Sequence, residues 1–346
     1  MSPMPPFAGK MRAYLEFIAA VIYILLARST AHRAAFQIAG EEWAPLTEQL
    51  LLLALLVAIF SAFGRFFDGE HNPVAAQGLP FRRGWTGEVG TGLAVGWGAA
   101  VFCGLALVLM GGIAIVLSTG RPAWIAFVAD TLFFAFAALV EEVTFRGYAF
   151  QRFRSVVGPV GATLGFAVFY AGLQALLPGS GRVSAAVSVA FSLVLSITYL
   201  RTRALWIGWG LNFGWKASRA LLFGLSVSGI SRHSSIIEGD PMGPFWLTGG
   251  GFGLDGTWIA CIVLLAAIPV VYRVTRDLDF EHNAPVLVAG GLPVNVEPAA
   301  QNQHDSYMNS GQPATPAPLV QILPLAAPNA SNEESAVIGT EPDNAD

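Results

Sequence analysis

Glu141-Glu142-Val143-Thr144-Phe145-Arg146 puts two adjacent carboxylates and a guanidinium at the end of a long apolar run. A carboxylate held away from bulk water can act as a general base toward a bound water molecule. A nearby arginine can neutralise and orient a second carboxylate. On a helix, Glu142 and Arg146 are i,i+4 neighbours and can pair, whereas Glu141 is turned by ~100° onto another face. The spacing predicts one structural carboxylate, Glu142, and one free carboxylate, Glu141, as the candidate base. Asp130 returns to nearly the face of Glu141, about three turns earlier. A charge deep in a bilayer costs ~2.5 to 3.5 kcal/mol on insertion scales, so such groups face a bundle interior and act there. The competing reading is an ion pair that merely orients the end of a span.

The elements that must position these residues are membrane helices. The chain of 346 residues is 54% hydrophobic and 12% charged, with a mean hydropathy of +0.57. Its apolar residues fall in blocks, which describes a polytopic membrane protein. A span needs ~20 apolar residues, and about eight segments approach this: 12–27, 44–64, 89–117, 123–149, 157–178, 183–200, 204–224 and 254–273. These runs are too long and too continuously apolar for barrel strands, so the expected fold is an all-α membrane helix bundle. The first segment follows Lys10 and Arg12, but Glu16 interrupts it and no clean cleavage site follows, so it is read as a retained span.

With the amino terminus inside, one side carries Lys10, Arg12, Arg65, Arg82, Arg83, Arg152, Arg154, Arg201, Arg203, Arg273 and Arg276. The other carries Arg28, Arg33, Arg121, Arg182 and Arg232. This asymmetry predicts cytoplasmic termini in an integral membrane protein, with the bacterial inner membrane as the expected location. Residues 281–346 contain no lysine or arginine and are rich in Pro, Ala, Asn and Gln around scattered acids, which predicts a disordered acidic tail. The division is therefore 1–79, amino-terminal spans; 80–280, the core; 281–346, the tail. No basic cluster exists to grip phosphates of a nucleic acid, so nucleic acid is excluded as a partner and membrane lipid is expected. Cys103 and Cys261 both lie in apolar segments and imply no disulfide. Glu141 and Glu142 alone lack the ligands that zinc or a hard cation needs, so no bound metal and no other cofactor is expected.

Glu141-Glu142-x-x-x-Arg146 followed by Gly147-Tyr148 and Phe150 resembles the first motif of the CAAX protease and bacteriocin-processing family of intramembrane endopeptidases. Ala204-Leu205-Trp206 through Trp215, then Leu222-Phe223-Gly224 and Val227-Ser228-Gly229, resemble its late-helix motif and following loop. Gly243-Pro244-Phe245-Trp246-Leu247-Thr248-Gly249-Gly250 with Phe252-Gly253 resembles the loop before its last span. The likeness covers about residues 80–275. It implies a glutamate that activates water against a peptide bond of a membrane-associated substrate, aided by a histidine in a second motif and by a histidine and an asparagine four apart in a later helix.

Here the second and third motifs are degenerate. The second reads Tyr170-Ala171-Gly172-Leu173-Gln174, with glutamine at the histidine place, and the later pair is Asn212 and Lys216. An amide cannot exchange a proton near neutral pH, although it can donate hydrogen bonds to an oxyanion, worth ~2.7 to 4 kcal/mol where measured. The resemblance makes Gln174 and Asn212 the candidate oxyanion donors. Asn212, Lys216 and Arg219 recur at i, i+4 and i+7, which turns one polar face inward. In the family arrangement Lys216 would face Glu141 and pair with it, which weakens Glu141 as a base; a lysine without an anionic partner would be a base itself. Two functions stay open. One is an active endopeptidase with Glu141 as base and Glu142–Arg146 as the orienting pair. The other is a pseudoprotease that binds membrane peptides or partner proteins in immunity or export. A transporter would show an internal repeat or paired broken helices, which the sequence lacks.

Overall fold

The computed structural model describes residues 6–117, 120–228 and 236–283, together with short strands at 286–287 and 293–294. Contacts divide the chain into Met1–Ala284 and Pro285–Asp346. In the second unit, Val286–Leu287 pairs antiparallel with Pro293–Val294. The expectation of a disordered tail otherwise falls outside the described residues; Glu281–Asn283, assigned to that tail, end a helix of the first unit.

The first unit opens with α1 (Pro6–Phe67), which holds the first two apolar segments. Its helix is broken at Gly40, with φ +68°, a conformation only glycine adopts without cost. The Tyr23 hydroxyl donates to the Leu55 carbonyl at 2.9 Å, and His32 meets Glu48 at 2.8 Å. The Arg12 guanidinium reaches the Phe67 carbonyl. These pairs straddle Gly40 symmetrically, so the two halves of α1 run antiparallel. After α2 (Pro73–Ala76) comes α3 (Trp85–Leu109).

The segment 89–117 does not form one span. Gly111, at φ +67°, and Gly112 stop the helix, and the β-branched run Ile113–Leu117 forms β1. This strand pairs antiparallel with β2 (Ile237–Pro241), Ile113 opposite Pro241 and Leu117 opposite Ile237. The bundle is the expected helical one, with a short two-stranded antiparallel ribbon of β1 and β2 attached.

α4 (Arg121–Arg146) ends at Gly147 and is followed by α5 (Tyr148–Ala175), itself broken at Gly158, φ +81°, before Pro159. Phe150 and Phe153 pack against Phe166 across that break, at 5.2 and 5.8 Å between ring centres, so the chain reverses there. Then follow α6 (Arg182–Thr202), α7 (Trp206–Leu221), α8 (Phe245–Thr248), a 3-10 turn at Gly250–Gly256, α9 (Trp258–Val274) and α10 (Arg276–Asn283). Five helical stretches among the described residues are long and apolar enough to cross a membrane: Gly9–Phe67, Trp85–Leu109, Arg121–Ala175, Arg182–Thr202 and Gly250–Val274. The first and third each hold two of the expected segments. α7, with 16 residues including Asn212, Lys216 and Arg219, falls below that length.

α7 is the best-buried helix of the bundle and is fixed from several sides. Trp206 Nε1 donates to the Pro80 carbonyl at 2.7 Å and Trp209 Nε1 to the Ala135 carbonyl at 2.8 Å. Against α3 the two backbones touch through reciprocal glycines. A Cβ on Gly92 or Gly96 would lie 2.1 Å from the carbonyl oxygen of Ile207 or Leu211. One on Gly210 would lie 2.1 Å from that of Val89. Small residues at such a seam let membrane helices gain close packing where lipid gives no hydrophobic drive. Gly90 and Gly98, in the same glycine-rich run, face open space.

Gly96→Ala should therefore lower the melting temperature in detergent sharply, with a cost of about 1 to 3 kcal/mol or more because backbone must move. Gly98→Ala should be neutral or stabilising by roughly 0.5 to 1 kcal/mol, since it only removes a helical glycine. Equal melting of the two variants would show that the α3–α7 seam is not close-packed.

A candidate charged site between α4 and α7

The last turn of α4 carries the site's fixed part. Glu142 and Arg146 lie one turn apart on the buried face, 1% and 0% exposed, and pair at 3.4 Å. Arg146 Nη2 also donates to the Ser192 hydroxyl at 2.9 Å and to the Ser192 carbonyl at 3.2 Å, which ties α4 to α6. Opposite, α7 presents Gly208, where a Cβ would sit 2.6 Å from Glu142 Oε2. Only a glycine lets the α7 backbone come that close to the carboxylate.

Asn212, fully buried, joins the two glutamates. Its Nδ2 donates to Glu141 Oε2 at 2.7 Å and to Glu142 Oε1 at 3.2 Å. The amide orientation follows from charge, because its oxygen turned toward two carboxylates would be repelled. Glu141 therefore does not point to a face of its own. The expected 100° offset at the backbone is closed by two long side chains that converge on one amide.

Glu141 is not free either. Lys216, one turn beyond Asn212 on α7, forms an ion pair with Glu141 Oε2, and the Tyr170 hydroxyl bonds the same carboxylate. The side chains of Glu141 and Lys216 keep 15% and 13% of their surface, against 1% or less for Glu142 and Arg146. This ion pair is the accessible edge of the cluster. Charges balance: Glu141 and Glu142 against Lys216 and Arg146.

Gln174 stands one residue-layer away, not on the carboxylates. Its Nε2 donates to the Tyr170 hydroxyl at 3.0 Å and the Ser228 hydroxyl at 3.3 Å. Ser228 in turn donates to Asp255 Oδ2 at 3.3 Å. Asp255 also accepts from Trp215 Nε1 at 3.3 Å and meets Arg219, wholly buried, at 2.5 Å. Arg219 thus belongs to a second neutral pair that holds α7 to the Gly250–Gly256 turn. The structure accordingly brings Glu141, Glu142, Arg146, Asn212 and Lys216 together, and connects Gln174 to them through Tyr170.

The sequence reading missed Tyr170, Ser192, Ser228 and Asp255. Ser192 had a signal: Ser184, Ser188, Ser192 and Ser196 recur every fourth residue and are all buried on α6. Tyr170 reads as an ordinary core aromatic, and nothing in a glycine-rich turn marks Asp255. No cluster of three or more His, Cys, Asp or Glu side chains placed to hold a metal occurs among the described residues.

Residues 121–218, which run from the start of α4 into the last turn of α7 and hold every member of the carboxylate cluster, match the family model described as "Rce1-like: Type II CAAX prenyl endopeptidase Rce1-like". No curated protein and no solved structure matched the chain.

Arg146→Ala should cost about 3 to 5 kcal/mol of stability, because it leaves Glu142 buried without its counter-ion. Pairing it with Glu142→Gln should recover much of that loss, read as melting in detergent. Wild-type melting of Arg146→Ala would show that the pair is not buried. Likewise Lys216→Met alone should destabilise, and in Glu141→Gln it should cost at least about 0.5 kcal/mol less, the coupling expected for an interacting pair. Additive losses would remove the Lys216–Glu141 contact.

Proposed function

We propose that this chain is an intramembrane endopeptidase of CAAX-protease type, in which Glu141 activates water against a peptide bond of a membrane-associated peptide or protein. The observation that carries the reading is the accessible Glu141–Lys216 edge of the buried cluster, inside the segment that matches the endopeptidase family. The expected setting is a bacterial cytoplasmic membrane crossed about eight times, with reversals at Gly40 and Gly158 and both termini cytoplasmic. The 80–280 segment would be the peptidase core behind the amino-terminal spans.

The chemistry follows from the pair. A water beside Glu141 gives its proton to the carboxylate as its oxygen attacks the carbonyl carbon, and the carbonyl oxygen takes the negative charge. Protonation cancels the charge that holds Lys216, so the ammonium is released to the new oxyanion, where a positioned cation is most effective. Glu141 then passes the proton to the departing amine nitrogen, and acid, amine and the original Glu141–Lys216 pair are restored. Glu142, Arg146 and Asn212 hold Glu141 in place.

A second reading, binding without cleavage, is favoured by the amides. Both Nδ2 protons of Asn212 go to glutamates, and both Nε2 protons of Gln174 go to hydroxyls, so neither amide has a donor left for an oxyanion. Among the described residues of the cluster, where no imidazole stands, Lys216 is left for that task. In this reading the closed ion pair makes the fold a receptor for membrane peptides, in immunity or export.

Wild type and Glu141→Ala, expressed at equal levels in the native membrane, separate the two through the amino termini of the membrane proteome. New termini that depend on Glu141, and that fall at least about tenfold in Lys216→Ala, are the expected result for hydrolysis with Lys216 at the oxyanion. Identical termini from folded wild type and variant would reject hydrolysis in favour of the peptide receptor.

A further inference from the structure

A second polar feature lies where α1 ends. A cavity of about 340 Å³ sits between the end of α1, α2 and the start of α5, lined among others by Asp68, Glu70, Gln77, Tyr148 and Arg152. Most of the charge around it is already matched. Arg152 lies 2.7 Å from Asp68 and 3.4 Å from Glu16, and Arg12 pairs with Glu16 at 2.7 Å. Glu70 is different. Its backbone N–H donates to the Gly64 carbonyl at 3.0 Å, which fixes it at the rim, but its exposed carboxylate makes no hydrogen bond or ion pair among the described residues. Three carboxylates, Glu16, Asp68 and Glu70, therefore meet two guanidiniums, Arg12 and Arg152. Arg65 and His71, the other basic side chains of this turn, do not line the cavity.

An excess carboxylate alone would mark only a solvated edge. The buried wall adds a second observation. Gln77 is 1% and Tyr148 3% exposed, and each keeps a polar atom without a partner, Gln77 Oε1 and the Tyr148 hydroxyl. Gln77 is held by Nε2, which donates to Ser61 Oγ at 2.8 Å and to the Pro73 carbonyl at 3.0 Å, so its oxygen is the unused end of the amide. Phe60 stacks on Tyr148 at 5.5 Å and the Arg152 guanidinium covers its ring at 4.8 Å, so the ring is fixed while its hydroxyl is unused. Buried polar atoms are costly to leave unpaired. A wall that keeps two of them beside an unpaired carboxylate is suited to a charged donor.

A primary ammonium fits this set. It carries three N–H donors, one positive charge and no acceptor, so it can serve Glu70, Gln77 Oε1 and the Tyr148 oxygen together and cancel the excess charge. A phosphate or carboxylate would meet the unpaired charge of Glu70. A metal finds no cluster of three or more His, Cys, Asp or Glu side chains among the described residues. Position names the carrier. Asp68 directly follows the apolar stretch Gly9–Phe67, and Phe66 and Phe67 are both exposed, so the cavity lies at the level of lipid headgroups. We propose that this cavity binds a primary ammonium group, presented by phosphatidylethanolamine. The site goes beyond the peptidase reading and does not rest on it.

The test melts the full chain in neutral detergent with dioleoyl phosphatidylethanolamine, with dioleoyl phosphatidylcholine, or with free ethanolamine. The two lipids share chains and phosphate, but choline has no N–H. Apparent affinity is read from the concentration dependence of the melting shift, for wild type, Tyr148→Phe and Glu70→Gln. Tyr148→Phe removes only a hydroxyl without a partner, and Glu70→Gln an exposed charge without one, so both should fold. The expected result is stabilisation by phosphatidylethanolamine above phosphatidylcholine, with affinity about tenfold weaker or more in Tyr148→Phe and at least about threefold weaker in Glu70→Gln. Stabilisation by ethanolamine with the same dependence on both residues, and no preference between the lipids, would keep the ammonium site and overturn the lipid as its source. Without that ethanolamine effect, equal action of the two lipids, or phosphatidylethanolamine acting equally on wild type and both variants, would overturn the proposal.

Discussion

A guanidinium with no exposed surface, at the centre of an apolar bundle, sets terms for everything around it. Arg146 cannot be left unpaired there, because the desolvation of a single buried ion amounts to several kcal/mol. Glu142 supplies the charge and Ser192 two hydrogen bonds to Nη2, so α4 is fixed to α6. Glu142 in turn requires α7 to approach with Gly208 and to offer Asn212. The reciprocal glycines of α3 and α7 are the counterpart on the other side of α7, since a helix pressed toward the carboxylates must be allowed to sit deep. One ion pair therefore propagates into the packing of four helices.

The fold was legible in the sequence wherever local period decided the outcome. Glu142 and Arg146 follow from i,i+4 geometry alone, and most of each apolar block lies on helix. What failed was the end of the third block. Ile113–Leu117 continues the hydropathy of α3 without a drop, and only Gly111-Gly112 and the β-branched run betray a strand, whose partner lies more than a hundred residues later. At 204–224 apolar length predicted a span, whereas the helix observed there is only 16 residues long and carries Asn212, Lys216 and Arg219, polar residues that serve the site. Orientation about the helix axis was also a weak guide, since Glu141 and Glu142, a hundred degrees apart, meet at one amide.

The site itself was legible in part, and unevenly. The Lys216 contact with Glu141 came from resemblance in motif order, because no local rule links residues on α4 and α7. Tyr170 and Ser228 stood only as letters of motifs, and Asp255 not at all, for a physical reason: each acts through side-chain bonds made by tertiary packing. A tyrosine in an apolar segment usually just fills the core, and an aspartate in a glycine-rich turn usually just bonds its own backbone. Their bonds turn two ion pairs into one connected system, Glu141 to Tyr170 to Gln174 to Ser228 to Asp255 to Arg219. Through it the Gly250–Gly256 turn and α9, which that turn precedes, are linked to the carboxylates.

Neutrality is what makes such a system stable in lipid and also what limits its chemistry. With two acids against two bases, each ion is already solvated by the protein, and a reacting group must beat a partner that is already in place. Imidazole would exchange protons without changing that balance much, whereas lysine is a fixed charge that must be released before it can act. The accessible edge of the cluster is where release is easiest, because Glu141 and Lys216 keep a share of surface that Glu142 and Arg146 lack. A peptide carbonyl arriving there would compete for Lys216 as Glu141 becomes neutral, so the same contact that quiets the resting site is the one from which turnover would have to start. In the proposed reaction, the strength of that single pair would set the threshold.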